Sequence, residues 1–244
     1  MKIPLLLIAI ALLLVSCRTQ NLLSDSQNNN KQVDTSFRYQ PGYQYTIRKN
    51  DKIAVSVWGQ EELSVGSVYG IYNSNEVYGK WLMVDANGNI ELPKIGTMPV
   101  YGKTVPQLKD TLHKIIQKWI LNPVVDIKVL NKEITMLGEV RTPGVIKIDK
   151  DQNSLLEILA HAGGPEFYAN LKEVKVFRQE GANVRMTTLN LSKNKDYLSA
   201  NIILKPGDVV VVPSRKFKAF DKRISVIIPF ATTMSAAAIL FKLF

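Results

Sequence analysis

Two uncharged apolar runs set the limits within which this chain can fold. One, "IPLLLIAIALLLVSC", covers residues 3–17, and the other, "ISVIIPFATTMSAAAILF", covers the 18 residues from Ile224 to Phe241. Neither is stable in water, since each exposed methylene costs about 0.8 kcal/mol relative to burial. Each run must therefore be removed, inserted into lipid or packed, and a globular core has to come from the polar middle. That middle is well supplied: the 244 residues are 46% hydrophobic and 21% charged, which excludes wholesale disorder. A formal net charge of +10 favours acidic partners such as lipid headgroups, anionic glycans or nucleic acid. The lysines are dispersed, and no helix-turn-helix, RNA-binding or zinc-finger signature occurs, so nucleic acid is not an expected partner.

The two runs differ in kind. Lys2 followed by Ile3 to Val15 has the form of a secretory leader, with an apolar stretch too short for a comfortable span. Leu14-Val15-Ser16-Cys17 resembles the bacterial lipobox. That resemblance implies a signal peptide over 1–16 and lipid attachment at Cys17, whose thiol is the nucleophile that takes the diacylglycerol. The alternative is an uncleaved anchor with Cys17 incidental. Arg18, where lipoproteins retained at the inner membrane usually have Asp, implies delivery to the outer membrane. Cys17 is the one cysteine and His113 and His161 are the two histidines, so an intrachain disulfide and a cysteine- or histidine-rich metal site are excluded. No metal or cofactor is expected. Residues 17–36 are rich in Asn, Gln and Ser, lack periodicity and read as a lipidated flexible tether.

A first globular segment is expected over 37–131. Ile53, Val55 and Val57 alternate as a half-buried strand after a turn at Asn50-Asp51. "WLMVDANGNIELPKIG" predicts a hairpin around Asn87-Gly88. Thr104 and Gln107 form a capping box with Pro106 in the first turn, opening a helix that ends at Asn122-Pro123. Leu108, Leu112, Ile115, Ile116 and Trp119 share its apolar face. The strand "VVDIKVL" follows. His113 reads as a solvated surface histidine. Glu61-Glu62 has no nucleophile or base beside it in the sequence, and adjacent carboxylates point apart.

A second segment, 132–214, reads as strand, Thr-Pro-Gly turn, strand, short helix and three more strands. Ser154 with Glu157 suggests another capping box, and Gly163-Gly164 a C-terminal stop rather than a phosphate loop, because the dipole there repels anions. "IRKNDKIAVSV" and "LKPGDVVVVPS" echo each other, aligning Asp51 with Asp208. The shared device is an aspartate that accepts backbone N–H bonds as a strand begins.

The order of features resembles the polysaccharide export family of outer-membrane lipoproteins. The first segment carries Tyr45-x-Ile47, Asp51, Val55-x-Val57-Trp58-Gly59, Glu62-Leu63-Ser64, Gly88-x-Ile90-x-Leu92-Pro93-x-Ile95-Gly96, Val100-x-Gly102-x-Thr104, Leu108 and Pro123-x-Val125. The second carries Leu137-Gly138-Glu139-Val140-x-x-Pro143-Gly144, Leu155-Leu156-x-x-Leu159-Ala160-x-Ala162-Gly163-Gly164 and Lys205-Pro206-Gly207-Asp208, which resemble the soluble-ligand-binding β-grasp domain. Two departures stand out: Lys49-Asn50-Asp51 replaces the family's Pro-Gly-Asp, and 65–81 is longer and richer in Tyr and Asn than a minimal member. The expected fold class is therefore α+β: a small export-family α/β domain, a β-grasp domain, then a C-terminal membrane-type helix.

Arg215, Lys216, Lys218, Lys222 and Arg223 form a basic linker, 215–223, suited to anionic headgroups. In the following segment, 224–244, Val226, Ile227, Phe230, Met234 and Phe241 share a bulky, membrane-facing side of a helix. Ser225, Thr232, Ser235 and Ala236 form a small, more polar stripe that permits close helix approach. The resemblance implies that such tails line up as a transmembrane ring, in a homo-oligomeric channel that exports capsular or extracellular polysaccharide. It further implies an inner-membrane co-polymerase or tyrosine-kinase partner, outer-membrane localisation with the globular domains in the periplasm, and no enzymatic activity. The competing expectation is a monomeric, lipid-anchored glycan-binding or adaptor module whose tail packs on its own domain. An inner-membrane tail anchor runs against the positive-inside rule. An enzyme would need a carboxylate pair brought together only by the fold.

Overall fold

The computed structural model describes residues 35–60, 63–65, 81–192 and 202–225. Cys17, Glu61-Glu62, residues 66–80 and the tail from 226 onward lie outside the described residues, so the expectations placed on them are not addressed by it.

The first core is built on β1 (Lys52–Val57), whose burial alternates strictly, with Ile53, Val55 and Val57 inward. It is the centre of a three-stranded antiparallel sheet, ordered β2-β1-β5, with β2 (Leu82–Met83) and β5 (Val125–Val129). Among the described residues, β3 (Asn89–Leu92) and β4 (Gly96–Pro99) pair only with each other. The hairpin expected around Asn87-Gly88 is thus displaced. Asp85 Oδ1 accepts from the amides of Asn87 and Asn89, both at 2.8 Å, and this wide turn hands the chain from one sheet to the next. The ladder forms one turn later, across Pro93-Lys94-Ile95.

Helix α1 (Val105–Ile116) opens with the full capping box: the Gln107 amide donates to Thr104 Oγ1, and the Thr104 amide to Gln107 Oε1. It buries Leu108, Leu112 and Ile116 in the first core. Trp119, expected on that face, lies past the helix end in a run of turns and is 58% exposed. The helix stops one turn early, and Asn122 (φ 52°) redirects the chain into β5.

The second core sits under a five-stranded mixed sheet ordered β10-β9-β12-β6-β7. β6 (Glu133–Gly138) and β7 (Gly144–Lys147) pair around the Thr-Pro-Gly turn, and β9 (Val174–Glu180) with β10 (Asn183–Leu189). β12 (Val209–Val212) runs parallel to β6 and antiparallel to β9. At Gly138 (φ +93°) an added Cβ would sit 2.0 Å from the Val212 carbonyl oxygen, so only glycine lets these two strands meet there. Helix α2 (Leu155–His161) follows β8 (Asn153–Ser154), which pairs with β11 (Ile203–Leu204). In the expected box the Glu157 amide donates to Ser154 Oγ, and the Glu157 carboxylate, drawn mainly to Lys150 at 2.6 Å, also feels the Ser154 amide. Gly163 and Gly164, both at positive φ, end it as the sequence predicts.

Two segments depart from the sequence expectation. The first described residues form a single 3₁₀ turn, Thr35–Phe37, and Phe37 is wholly buried in the second core, not the first. The chain therefore crosses the second domain before it builds the first. In addition, a helix (α3) covers residues 218–225, so that 218–223 are helical where a linker was expected. Among the described residues no helix is long and apolar enough to cross a membrane.

Candidate functional site: the domain junction and the chain exit

Two matching turns meet at the junction. The Arg48 amide donates to Asp51 Oδ2 at 2.7 Å, and the Lys205 amide to Asp208 Oδ2 at 2.9 Å. In both places an aspartate clamps the residue three positions before it, the shared device that the sequence echo predicts. The turns also touch. A Cβ at Gly207 would lie 2.9 Å from Arg48 Nη1, so the second turn is shaped to receive the first turn's guanidinium.

Both aspartates are buried, and their charges are met differently. Asp208 forms a two-point pair with Arg178, with Nε to Oδ1 at 2.9 Å and Nη2 to Oδ2 at 2.6 Å, both side chains being under 5% exposed. Arg178 also donates to the carbonyls of Ser36 and Ile203 and lies 4.5 Å from the centre of the Phe37 ring. Asp51 instead accepts from the Tyr45 hydroxyl at 2.9 Å. Burial pushes its carboxyl above the ordinary aspartate range, against the lowering effect of the Arg48 amide and the Tyr45 hydroxyl. The Tyr45 hydroxyl is itself pushed well above the usual tyrosine value by burial and by the Asp51 charge.

Residues 40–45 bind the domains together. Gln40 exchanges backbone bonds with the Gln152 side chain, both at 3.1 Å. The Tyr45 amide donates to Asp151 Oδ2, whose other oxygen pairs with Lys132 at 2.9 Å. Lys205 Nζ donates to Gln40 Oε1 at 2.8 Å and lies 4.0 Å from the Tyr43 ring centre, where burial lowers its pKa. These charges are closed by partners within hydrogen-bond reach, which suits a lock and not a reaction centre. Among the described residues no group of three His, Cys, Asp or Glu side chains converges to hold a metal ion.

The second region lies where the described chain ends. Ala169 bridges Ser214, and the Arg215 amide donates to the Tyr168 carbonyl at 2.8 Å. Arg215 Nε reaches the Ala169 carbonyl at 3.2 Å, with the guanidinium 5.8 Å from the Phe167 ring centre. Lys218 pairs with Glu139 and faces the Tyr168 ring at 6.0 Å. Of the five cations expected to meet headgroups, Arg215 and Lys218 are therefore half-buried and tied to the domain, while Lys216, Lys222 and Arg223 are exposed. Ser225 is exposed on α3 and its hydroxyl returns to the Lys222 carbonyl. Thr232, Ser235 and Ala236 of the polar stripe, and Val226, Ile227, Phe230, Met234 and Phe241 of the bulky face, lie outside the described residues.

Sequence reasoning missed Arg178 and Phe37. A signal for Arg178 existed: in "VKVFRQE" the two-residue period puts it on the same side as Val174 and Val176, and an inward arginine demands an anion. Phe37 had none, since it stands alone in a polar stretch.

Comparison with known proteins fits this two-core plan. Residues 39–130 match the family model described as polysaccharide biosynthesis/export protein, and residues 132–212 match the SLBB domain model. The chain is 28% identical over 193 residues to the EPS I polysaccharide export outer membrane protein EpsA of Ralstonia solanacearum, covering 70% of this chain and 48% of that protein. It is 27% identical over 189 residues to the Vi polysaccharide export protein VexA/TviF of Salmonella typhi, covering 74% and 50%. It is 23% identical over 186 residues to the capsule polysaccharide export protein BexD of Haemophilus influenzae, covering 72% and 45%. Together the two domain matches and these relatives support membership of the polysaccharide export family. It spans about half the length of the curated relatives it matches.

Proposed function

We propose that this protein is an outer-membrane lipoprotein, anchored through Cys17, whose subunits assemble into a channel for capsular or extracellular polysaccharide. The observation that carries the proposal is the ordered pair of domain matches, each on its own hydrophobic core, shared with relatives named as export proteins. The mixed sheet with its central parallel pair and single helix supports a β-grasp second domain. In this reading the two domains form a periplasmic vestibule, held rigid by the junction, and an inner-membrane co-polymerase or kinase docks at the far end. Residues 224–244 supply one helix each to a transmembrane ring. The net charge of +10 suits the passage of acidic glycan. The protein acts by conducting polymer, not by catalysis.

An epitope tag placed after Phe244 tests the spanning tail. Antibody labelling of intact, unpermeabilised cells is the expected result. Labelling only after permeabilisation overturns the ring and favours the monomeric adaptor, with its tail packed on its own domain.

A further inference from the structure

The chain exit carries a feature that the basic residues alone do not explain. Phe217 is 72% exposed, Phe167 and Phe220 are each 59% exposed, and Ile224 is 38% exposed. Phe220 and Ile224 share one face of α3, and Phe217, in the turn that opens the helix, precedes Phe220 by three residues, so the rings and the isoleucine continue one stripe from the turn onto the helix. Phe167 belongs to a different element, the loop after α2. Its ring meets Tyr168 edge to face at 5.1 Å, and Arg215, two residues before Phe217, lies over it. The geometry is fixed: Arg215 is bonded to Tyr168 and Ala169, and Lys218 to Glu139. The fold thus spends three hydrogen-bonded contacts to hold phenylalanine rings out in solvent.

We propose that Phe167, Phe217 and Phe220 are an interfacial anchor by which the second domain itself sits against a lipid bilayer, with the rings at the boundary of headgroups and acyl chains. Three observations select lipid as the occupant. The exposed rings are all phenylalanine, which offers no hydroxyl or indole N–H to a sugar, so a glycan platform is a poor match. Exposed Lys216, Lys222 and Arg223 flank the stripe, and cations beside apolar side chains suit an anionic headgroup layer. The stripe also leads directly into the uncharged sequence that runs to Phe241. This inference rests on the membrane reading proposed above and adds to it a contact made by the folded domain, through a loop far from the tail in sequence. Such a contact fixes the domain's height and tilt against the membrane, which a flexible lipid tether cannot do.

Photocrosslinking in living cells tests it. The full chain is made with p-benzoylphenylalanine in place of Phe167, Phe217 or Phe220, and separately in place of Val184 on the exposed β10 edge and Phe241 in the tail. The probe resembles phenylalanine in shape and inserts into nearby C–H bonds, so the surface sites leave the fold intact. Mass spectrometry is expected to find phospholipid or lipid A adducts at 167, 217 and 220, at several times the yield at 184. A dimer band at 167 and 220 would replace the bilayer with a second copy of the chain. A polysaccharide smear there would replace it with glycan, and no adduct would return the surface to water; each of these overturns the proposal. Position 241 keeps the two readings apart, because lipid adducts at 241 without adducts at 167 sink the anchor and leave the spanning tail standing.

Discussion

Burying Arg178 removes a guanidinium from water, and the two oxygens of Asp208 restore what it loses. The pair stabilises the fold only as a pair. Asp208→Ala is expected to lower the unfolding free energy by about 3–5 kcal/mol, because it strands a buried cation and frees the Lys205 amide. The three tryptophans, Trp58, Trp81 and Trp119, all lie in the first domain. Amide exchange across β9 and β12, rather than fluorescence, is the measurement that reads this loss. Asp51 makes the opposite point. Its carboxyl titrates above its unfolded value, so the folded chain holds that proton more tightly, and the group works against folding at neutral pH. That burden fades as pH falls through the raised value toward the ordinary one. Tyr45→Phe deletes a hydrogen bond to the charged form, which raises the Asp51 pKa further. The variant is expected to lose about 1–3 kcal/mol at neutral pH and less in mildly acid solution. Carboxyl NMR titration of Asp51, with denaturation at the two pH values, checks both parts; a larger loss in acid would contradict the assignment.

At the level of elements, local physics was legible where it acts locally. The alternation of Ile53, Val55 and Val57 is the burial pattern of β1, and the Thr104 box opens α1 where the residues require. The paired glycines end α2 for the same reason. Errors arose where a distant partner decided. β2 has a good turn beside it, yet its ladder partner is β1, which lies well before it in the chain, while Asp85 caps that turn from within. Trp119 fits the helical period but lies beyond the point where the chain leaves the helix for β5. The 3₁₀ turn at Thr35–Phe37 is the clearest case, since nothing in its neighbours marks Phe37 as core. Phe37→Ala is expected to cost about 3–5 kcal/mol. The loss should appear in the exchange of β9 and β12, strands far from it in sequence, and only weakly in the tryptophan-monitored unfolding of the first domain. Equal loss in both domains would mean that they unfold as one unit.

Across the whole molecule, the order of the chain and the order of the domains do not coincide. Two family matches in sequence suggest beads on a string, whereas residues 35–43 run along the second domain, held there by Phe37, Gln40 and Tyr43, before the Tyr45 side chain enters the first core. Of the candidate sites, the basic cluster was legible from composition. The aromatic stripe beside it was not, because Phe167 joins Phe217 only when β12 delivers the chain to the loop after α2. The threading also sets a timetable. A polypeptide emerges N-terminus first, so Phe37 is available long before Val209 to Val212 exist to enclose it. The first domain draws all of its described strands from one continuous stretch of chain and can close early, but the second must wait for the last described strand and then recover a segment made at the outset. Until then an exposed phenylalanine precedes an already folded domain, and a chain cut short anywhere before β12 carries that loose end into every encounter it makes.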